Sequence, residues 1–224
     1  MLFRSRFDRG KVLDGEALEK LQTRFGRYLD VDGDGIPYRT LPGSHPTKGG
    51  FTARGTSRDE YAVYTEDGDA YVRNVDRLLL KFDTAKRYVP APKIKPAARP
   101  TKTGALFFGT TASPAYEALE ILEEEGYAID TLRLRAFPFT REVEQFLEEH
   151  DTVFVIEQNR DGQMRRLLLN ESIAATREKL VSVLNYDGLP ITARHIAGHI
   201  RSRLGGANVT DIARKRSGSG RAKA

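Results

Sequence analysis

The octapeptide TVFVIEQN, Thr152 to Asn159, sets the reading of this chain. Residues 152–156 form a short run that suits burial on both faces, which is the mark of a central strand in a parallel sheet. The polar EQN that follows is a loop, and the next apolar positions, Met164, Leu167 and Leu168, have helical spacing. A buried strand followed by a helix is half of a βαβ unit, so further strands are expected on either side.

They are found in both directions. Upstream, GALFFGT (104–110) is a Gly-bounded strand. Ser113 and Pro114 then read as the cap and first turn of a helix whose face carries Ala115, Ala118, Leu119 and Leu122, with Gly126 as its stop. AIDTLRLRAF reads as a strand, and Thr140 caps a helix carrying Val143, Phe146 and Leu147. Downstream, KLVSVLNYDG is a strand, and a last helix begins near Thr192 with Ile196, Ile200 and Leu204 on one face. Four alternations predict an α/β domain over residues 103–205, a small, mainly parallel sheet with helices on both faces.

Before it lies VPAPKIKPAARPTK (89–102), with four of the ten prolines and four cations. It reads as an extended, semi-rigid linker that cannot pair as a central strand. Residues 1–88 are expected to be an irregular, partly helical arm that packs on something larger. One amphipathic helix is expected over 14–25 (Leu18, Leu21, Phe25), and Val72, Val75, Leu79 and Phe82 form a second stripe. Ser57 and Glu60 have capping-box spacing.

The net charge of +5 belongs to the end of the chain. Residues 201–224 hold seven Lys or Arg and a single acid, Asp211. Residues 206–224 read as a basic disordered tail, with a polyanion-binding arm as the sharper alternative. No aromatic residue interleaves with its charges, so nucleic acid is not an expected partner. The absence of cysteine excludes thiolate catalysis, disulfides and iron–sulfur ligation by this chain. No apolar run approaches the ~20 residues of a membrane span, and no secretory leader is visible. A cytoplasmic location is expected.

Two polar constellations stand out. EQNRDGQMR falls where a strand's carboxyl end meets a helix, the edge at which open α/β sheets collect ligands. Glu157, Gln158, Asn159, Gln163 and Arg165 are its candidates for a ligand or subunit contact, against the plainer reading of a polar loop. The Gly-rich stretch RTLPGSHPTKGGFTARGTSRDE supplies Arg39, His45, Arg54, Asp59 and Glu60, with an extended partner-contacting arm as the plainer reading. His195 and His199 share a helix face, but two histidines without further ligands make a weak zinc site.

DVDGDGIPYRTLPG (30–43) resembles two metal sites and fails both tests. Asp30, Asp32, Asp34 and Gly35 match the first half of a calcium loop. Its second half has Pro37 at an inner position and Leu41 where a bidentate Glu is required. The Gly33-Asp34-Gly35 triplet resembles a magnesium–diphosphate motif of thiamine diphosphate enzymes. The Asn that should follow is missing from RDEYAVY (58–64), and Asn74 lies too far away. Two successive Asp-Gly pairs otherwise make a turn.

GRYLDVDGDGIPYRTLPGSHPTKGGFTARGTSRDEYAVYTED and VFVIEQNRDGQMRRLL together resemble the C-terminal portion of the alpha subunit of 2-oxoacid:ferredoxin oxidoreductases, particularly the 2-oxoglutarate type. The resemblance implies that residues 103–205 form a transketolase C-terminal-like domain. It also implies oxidative decarboxylation of a 2-oxoacid to the acyl-CoA by the assembled enzyme. That enzyme would use thiamine diphosphate, magnesium and an iron–sulfur cluster in partner chains. Expected partners are a beta subunit, the pyrimidine and gamma-type domains, ferredoxin and coenzyme A. A coenzyme A phosphate is then the functional alternative to a polar loop at EQNRDGQMR, and a dicarboxylate such as 2-oxoglutarate the alternative to a partner-contacting arm in the Gly-rich stretch. This chain would act in assembly and at interfaces, without catalytic, cofactor or metal ligands of its own. An independent α/β domain that binds coenzyme A or a 2-oxoacid is the alternative.

Overall fold

The structure is a computed structural model. It describes residues 8–218, with side chains for residues 8–205. The chain divides into two compact units, Met1–Tyr88 and Val89–Ala224.

The second unit is the α/β domain. Four parallel strands, β2 (Thr103–Phe108), β3 (Asp130–Leu134), β4 (Thr152–Glu157) and β5 (Leu180–Leu184), join a short β1 (Lys93–Lys95) in the order β1-β3-β2-β4-β5. β1 is antiparallel to β3, with Ile94 opposite Leu132. The stretch read as a linker is therefore part of the sheet. It takes an edge, where its flanking prolines cost no ladder hydrogen bond. Asp130 accepts the Ala97 N–H at 2.7 Å and Thr101 donates to the Ala128 carbonyl at 2.8 Å, which tie it down further.

β2 and β4 sit centrally and are buried on both faces. Alternate side chains feed opposite cores, as the two-residue period demands. Ala105, Phe107, Phe154 and Ile156 pack under α3 (Ala112–Glu124) and α6 (Ala193–Gly218). Leu106, Val153 and Val155 pack under α4 (Arg141–Glu149) and α5 (Gln163–Glu171). Each such large side chain, fully buried, contributes about 1.5–3 kcal/mol.

Helix ends follow the sequence only in part. Gly126, at φ +91°, stops α3 as expected: its N–H reaches the Glu123 carbonyl and the Tyr127 N–H reaches Leu122, both at 2.9 Å. Ser113 does not cap α3. A 3₁₀ turn, Gly109–Thr111, leads directly into Ala112, so Ser113 already lies in the first turn. The basic tail expected over 206–224 falls on residues whose side chains, and beyond Gly218 whose backbone, lie outside the described set. No described helix is long and apolar enough to cross a membrane.

Among the described residues the first unit has two helices, α1 (Gly15–Lys20) and α2 (Gly68–Ala85). α1 is shorter than the expected 14–25. Asp14 caps it through the Ala17 N–H at 2.8 Å, but the chain turns extended at Leu21. Phe25 lies outside the helix and meets Phe51, ring centroids 6.3 Å apart. Ser57 and Glu60 do not open a helix. Asp59 gathers the Tyr61 and Val63 N–H groups at 2.9 and 2.8 Å into a tight turn, and α2 starts later under the Asp67 cap. The apolar stripe of α2 is exposed: Val72, Val75, Leu79 and Phe82 are 54%, 37%, 67% and 47% accessible, and Leu78 beside it is 50% accessible. Buried apolar side chains in this unit amount to Leu18, Pro37, Ala62 and Ala70 among the described residues, a small core for its length.

Candidate functional site

The strand order creates a crevice. β2 connects through α3 to β3 on one side, while β4 lies on the other, so the loops leaving β2 and β4 diverge at their carboxyl ends. The opening there, about 830 Å³, is lined by Thr110, Ser113 and Glu117 beside α3, Gln158 from β4, and Ile191, Thr192 and Arg194 beside α6. Gln158 spans it. Its amide donates to the Thr111 and Thr110 hydroxyls at 3.1 and 3.3 Å, and its carbonyl accepts the Ile191 N–H at 3.1 Å. Thr192 caps α6 through the His195 N–H at 3.2 Å. Two helix N-termini thus open on a polar crevice, an arrangement suited to an anionic or polar group.

The other candidates of this edge turn inward. Glu157 is completely buried and accepts the Asn159 side-chain amide at 2.8 Å and the Met164 and Arg165 N–H groups at 2.8 and 3.1 Å. It caps α5 from the preceding strand, because the N-cap position belongs to Gly162, which has no side chain to do so. Asn159 accepts the Asp161 and Gln163 N–H groups at 3.1 and 3.2 Å. Arg165 donates to the Leu180 and Arg177 carbonyls at 2.8 and 2.9 Å. Gln158 is the member of this set that faces the crevice, and the loop holds no paired nucleophile and base.

In the first unit the candidates are dispersed. Arg39 donates to the Arg9 carbonyl at 2.6 Å. His45 Nδ1 accepts the Thr47 and Lys48 N–H groups at 3.2 and 3.0 Å, which places the proton on Nε2, 2.7 Å from Glu19. That hydrogen bond, with Lys48, holds the Glu19 carboxyl below its usual range. Glu60 meets Arg73 at 2.6 Å and is likewise held down. Asp59 builds its turn. Arg54 has no partner among the described residues and lines an open groove with Arg24 and Arg58, two residues the sequence reading did not single out as candidates.

The acidic loop contains its own cation. Asp30 accepts the N–H groups of Gly33, Asp34 and Gly35 at 3.0, 3.2 and 2.8 Å, the turn expected from its sequence. The Lys11 ammonium sits 2.6 Å from Asp32 and 2.7 Å from Asp34, and 3.1 Å from the Ile36 carbonyl. This donor set is filled by an ammonium and does not fit a divalent ion or a magnesium diphosphate. With no cysteine in the chain, an iron–sulfur cluster has no thiolate ligand here. His195 and His199 stack with centroids 4.5 Å apart, and His195 Nε2 lies 3.0 Å from the Leu184 carbonyl. Among the described residues no cluster of three or more His, Cys, Asp or Glu could hold a metal.

No protein-family model matches the chain. It is 28% identical over 200 residues to "2-oxoacid:ferredoxin oxidoreductase 2, subunit alpha" of Aeropyrum pernix, a match covering 88% of this chain and 29% of that one. The chain thus spans less than a third of that relative's length, and the relative carries the family name expected from the sequence. Among solved structures it is similar to a 2-oxoglutarate:ferredoxin oxidoreductase from Magnetococcus marinus with 2-oxoglutarate, coenzyme A and succinyl-CoA bound. The TM-score is 0.70 at 18% identity, over 82% of this chain and 31% of that chain, a likeness of fold.

Proposed function

We propose that this chain is the C-terminal part of the alpha subunit of a cytoplasmic, thiamine diphosphate-dependent 2-oxoacid:ferredoxin oxidoreductase. The α/β unit corresponds to a transketolase C-terminal-like domain. The role of the chain is assembly and interface formation, not turnover by itself. The assembled enzyme decarboxylates 2-oxoglutarate or a related 2-oxoacid oxidatively to the acyl-CoA and passes electrons to ferredoxin. Its thiamine diphosphate, magnesium and iron–sulfur cluster reside in the beta subunit and the chains that supply the pyrimidine and gamma-type domains.

The carrying observation is α2. An 18-residue helix that turns Val72, Leu78 and Leu79 outward, in a unit with so small a core, is a face made for a partner. The inward commitment of Glu157, Asn159 and Arg165 supports the same reading, since it leaves that loop without reactive groups.

Co-purification with the cognate beta subunit tests this. The wild-type chain is expected to form a complex on size exclusion, whereas Val72→Glu/Leu79→Glu keeps its circular dichroism and loses the complex. The isolated chain is expected to show no 2-oxoglutarate-dependent viologen reduction. Robust turnover by that chain overturns the proposal. The crevice around Gln158 favours a second reading, an independent domain for coenzyme A or a 2-oxoacid. A thermal shift of the wild-type chain by coenzyme A, lost in Arg194→Ala, would select it.

A further inference from the structure

Nine of the twenty guanidinium groups described in this protein are answered by an acceptor. Arg73 meets Glu60, Arg141 meets Glu148 and Arg201 meets Glu125, while Arg39, Arg77 and Arg165 reach backbone carbonyls. Arg24, Arg54 and Arg58 have no such acceptor, and all three line one groove of about 740 Å³ in the first unit. No Asp or Glu lines it. Thr52, Thr56 and Tyr61 contribute hydroxyls.

Two of its guanidinium groups also lie against tyrosine rings. Arg24 lies 5.7 Å from the centre of the Tyr61 ring, and Arg58 lies 6.0 Å from that of Tyr64. A guanidinium placed against a ring keeps its N–H edge available for a bidentate oxyanion. The Nε of Arg58 is buried without any hydrogen-bond acceptor among the described residues. A buried donor left in this state costs about 1–3 kcal/mol, more when charged, until an acceptor arrives. Ala62, in the groove wall, is held at φ +64° by the Asp59 turn. It has the one positive φ outside glycine among the described residues, and such strain is retained where the surrounding structure enforces a shape.

We propose that this groove is a binding site for a small oxyanion carrying at least two negative charges, held by the guanidinium groups of Arg24, Arg54 and Arg58. A phosphate ester and a dicarboxylate share that chemistry. The proposal is independent of the interface role of α2 and goes beyond the subunit reading.

Isothermal titration of the full chain with pyrophosphate, and separately with 2-oxoglutarate, tests it. Binding to at least one probe is expected, weakened about tenfold or more by Arg58→Gln or Arg54→Gln, as loss of a charge-assisted bond predicts. Arg141→Gln, whose side chain pairs with Glu148 elsewhere, should leave the affinity unchanged. Preference for pyrophosphate identifies a phosphate ligand, and preference for 2-oxoglutarate a dicarboxylate. Arg54 is exposed on a loop, so its variant keeps the test valid if Arg58→Gln fails to fold. Absence of binding by both probes at millimolar concentration, or equal loss in Arg141→Gln, overturns the proposal. A complex with the beta subunit that forms normally in Arg54→Gln separates this result from the fate of the subunit reading.

Discussion

The Lys11 ammonium lies within 2.8 Å of both carboxylate oxygens of Asp34, although 22 residues separate the two in the chain. Burial pulls the ammonium down, but hydrogen bonds and charge from Asp32 and Asp34 outweigh it and leave Lys11 raised. Asp34 is depressed, first by Lys11 and then by the Ile36 N–H. A depressed carboxylate adds stability above its unfolded value and loses it as the pH falls through its folded value; a raised lysine adds stability below its unfolded value and loses it as the pH rises through its folded value.

Lys11→Met is therefore expected to lower the melting temperature at neutral pH. The gap to wild type should close as the pH drops below the ordinary aspartate value of 3.8. It should also close as the pH rises past 10.5 toward the raised Lys11 value. Melting curves followed by circular dichroism at neutral and strongly acidic pH check this. An equal gap at both would show that the ion pair contributes nothing.

Gly35 and Gly33 should respond differently to the same change. Both have positive φ, +77° and +73°. A Cβ on Gly35 would lie 2.3 Å from the Lys81 nitrogen and 2.8 Å from the Arg77 carbonyl oxygen of α2, whereas nothing lies within 4 Å at Gly33. Gly35→Ala should cost more than about 3 kcal/mol and Gly33→Ala about 1 kcal/mol. Urea denaturation of the two variants is the measurement, and similar losses would contradict the close packing of the loop on α2.

Glu157→Ala leaves two N–H groups of α5 and the Asn159 amide without their acceptor. The expected cost is about 2–4 kcal/mol. Amide exchange at Met164 and Arg165 should accelerate more than at Leu106 on the neighbouring strand. Unchanged exchange at those two amides would remove Glu157 as the cap.

Gly104 lets α4 approach the sheet. A Cβ there would meet the Phe146 ring at 2.8 Å and the His150 ring at 3.3 Å. Gly104→Ala should destabilise by about 1–3 kcal/mol. Combining it with Phe146→Leu should recover part of the loss, giving a measurable coupling in a double-mutant cycle. Strict additivity would place the clash elsewhere.

Legibility differed between the two units for a physical reason. In the α/β unit the strands β2 to β5 are short, largely apolar and separated from one another by helices of their own period, so Thr152 to Asn159 could be read outward, whereas the exposed Lys-Ile-Lys of β1 carries no such signal. In the first unit the signals compete. The Ser57/Glu60 spacing looks like a cap, yet Asp59 binds the following N–H groups first and closes a turn. The stripe on α2 was visible, but a stripe does not say whether its own chain covers it, and Leu79 is 67% exposed.

By itself the sequence determined the alternation of strands and helices, the two-faced burial of β4, the stop at Gly126 and the lack of thiolate chemistry. These follow from local periodicity, backbone preference and residue type. Tertiary structure decided how the polar residues are used. Glu157 became a helix cap, Gln158 a bridge across the crevice, Lys11 the cation of an acidic loop, and Arg54 a side chain beside Arg24 and Arg58 without a carboxylate partner. The Gln158 bridge, the Lys11 pairing and the grouping of Arg54 with Arg24 and Arg58 depend on residues far apart in the chain, and the Glu157 cap on a loop that folds back within eight residues; residue type and periodicity specify neither.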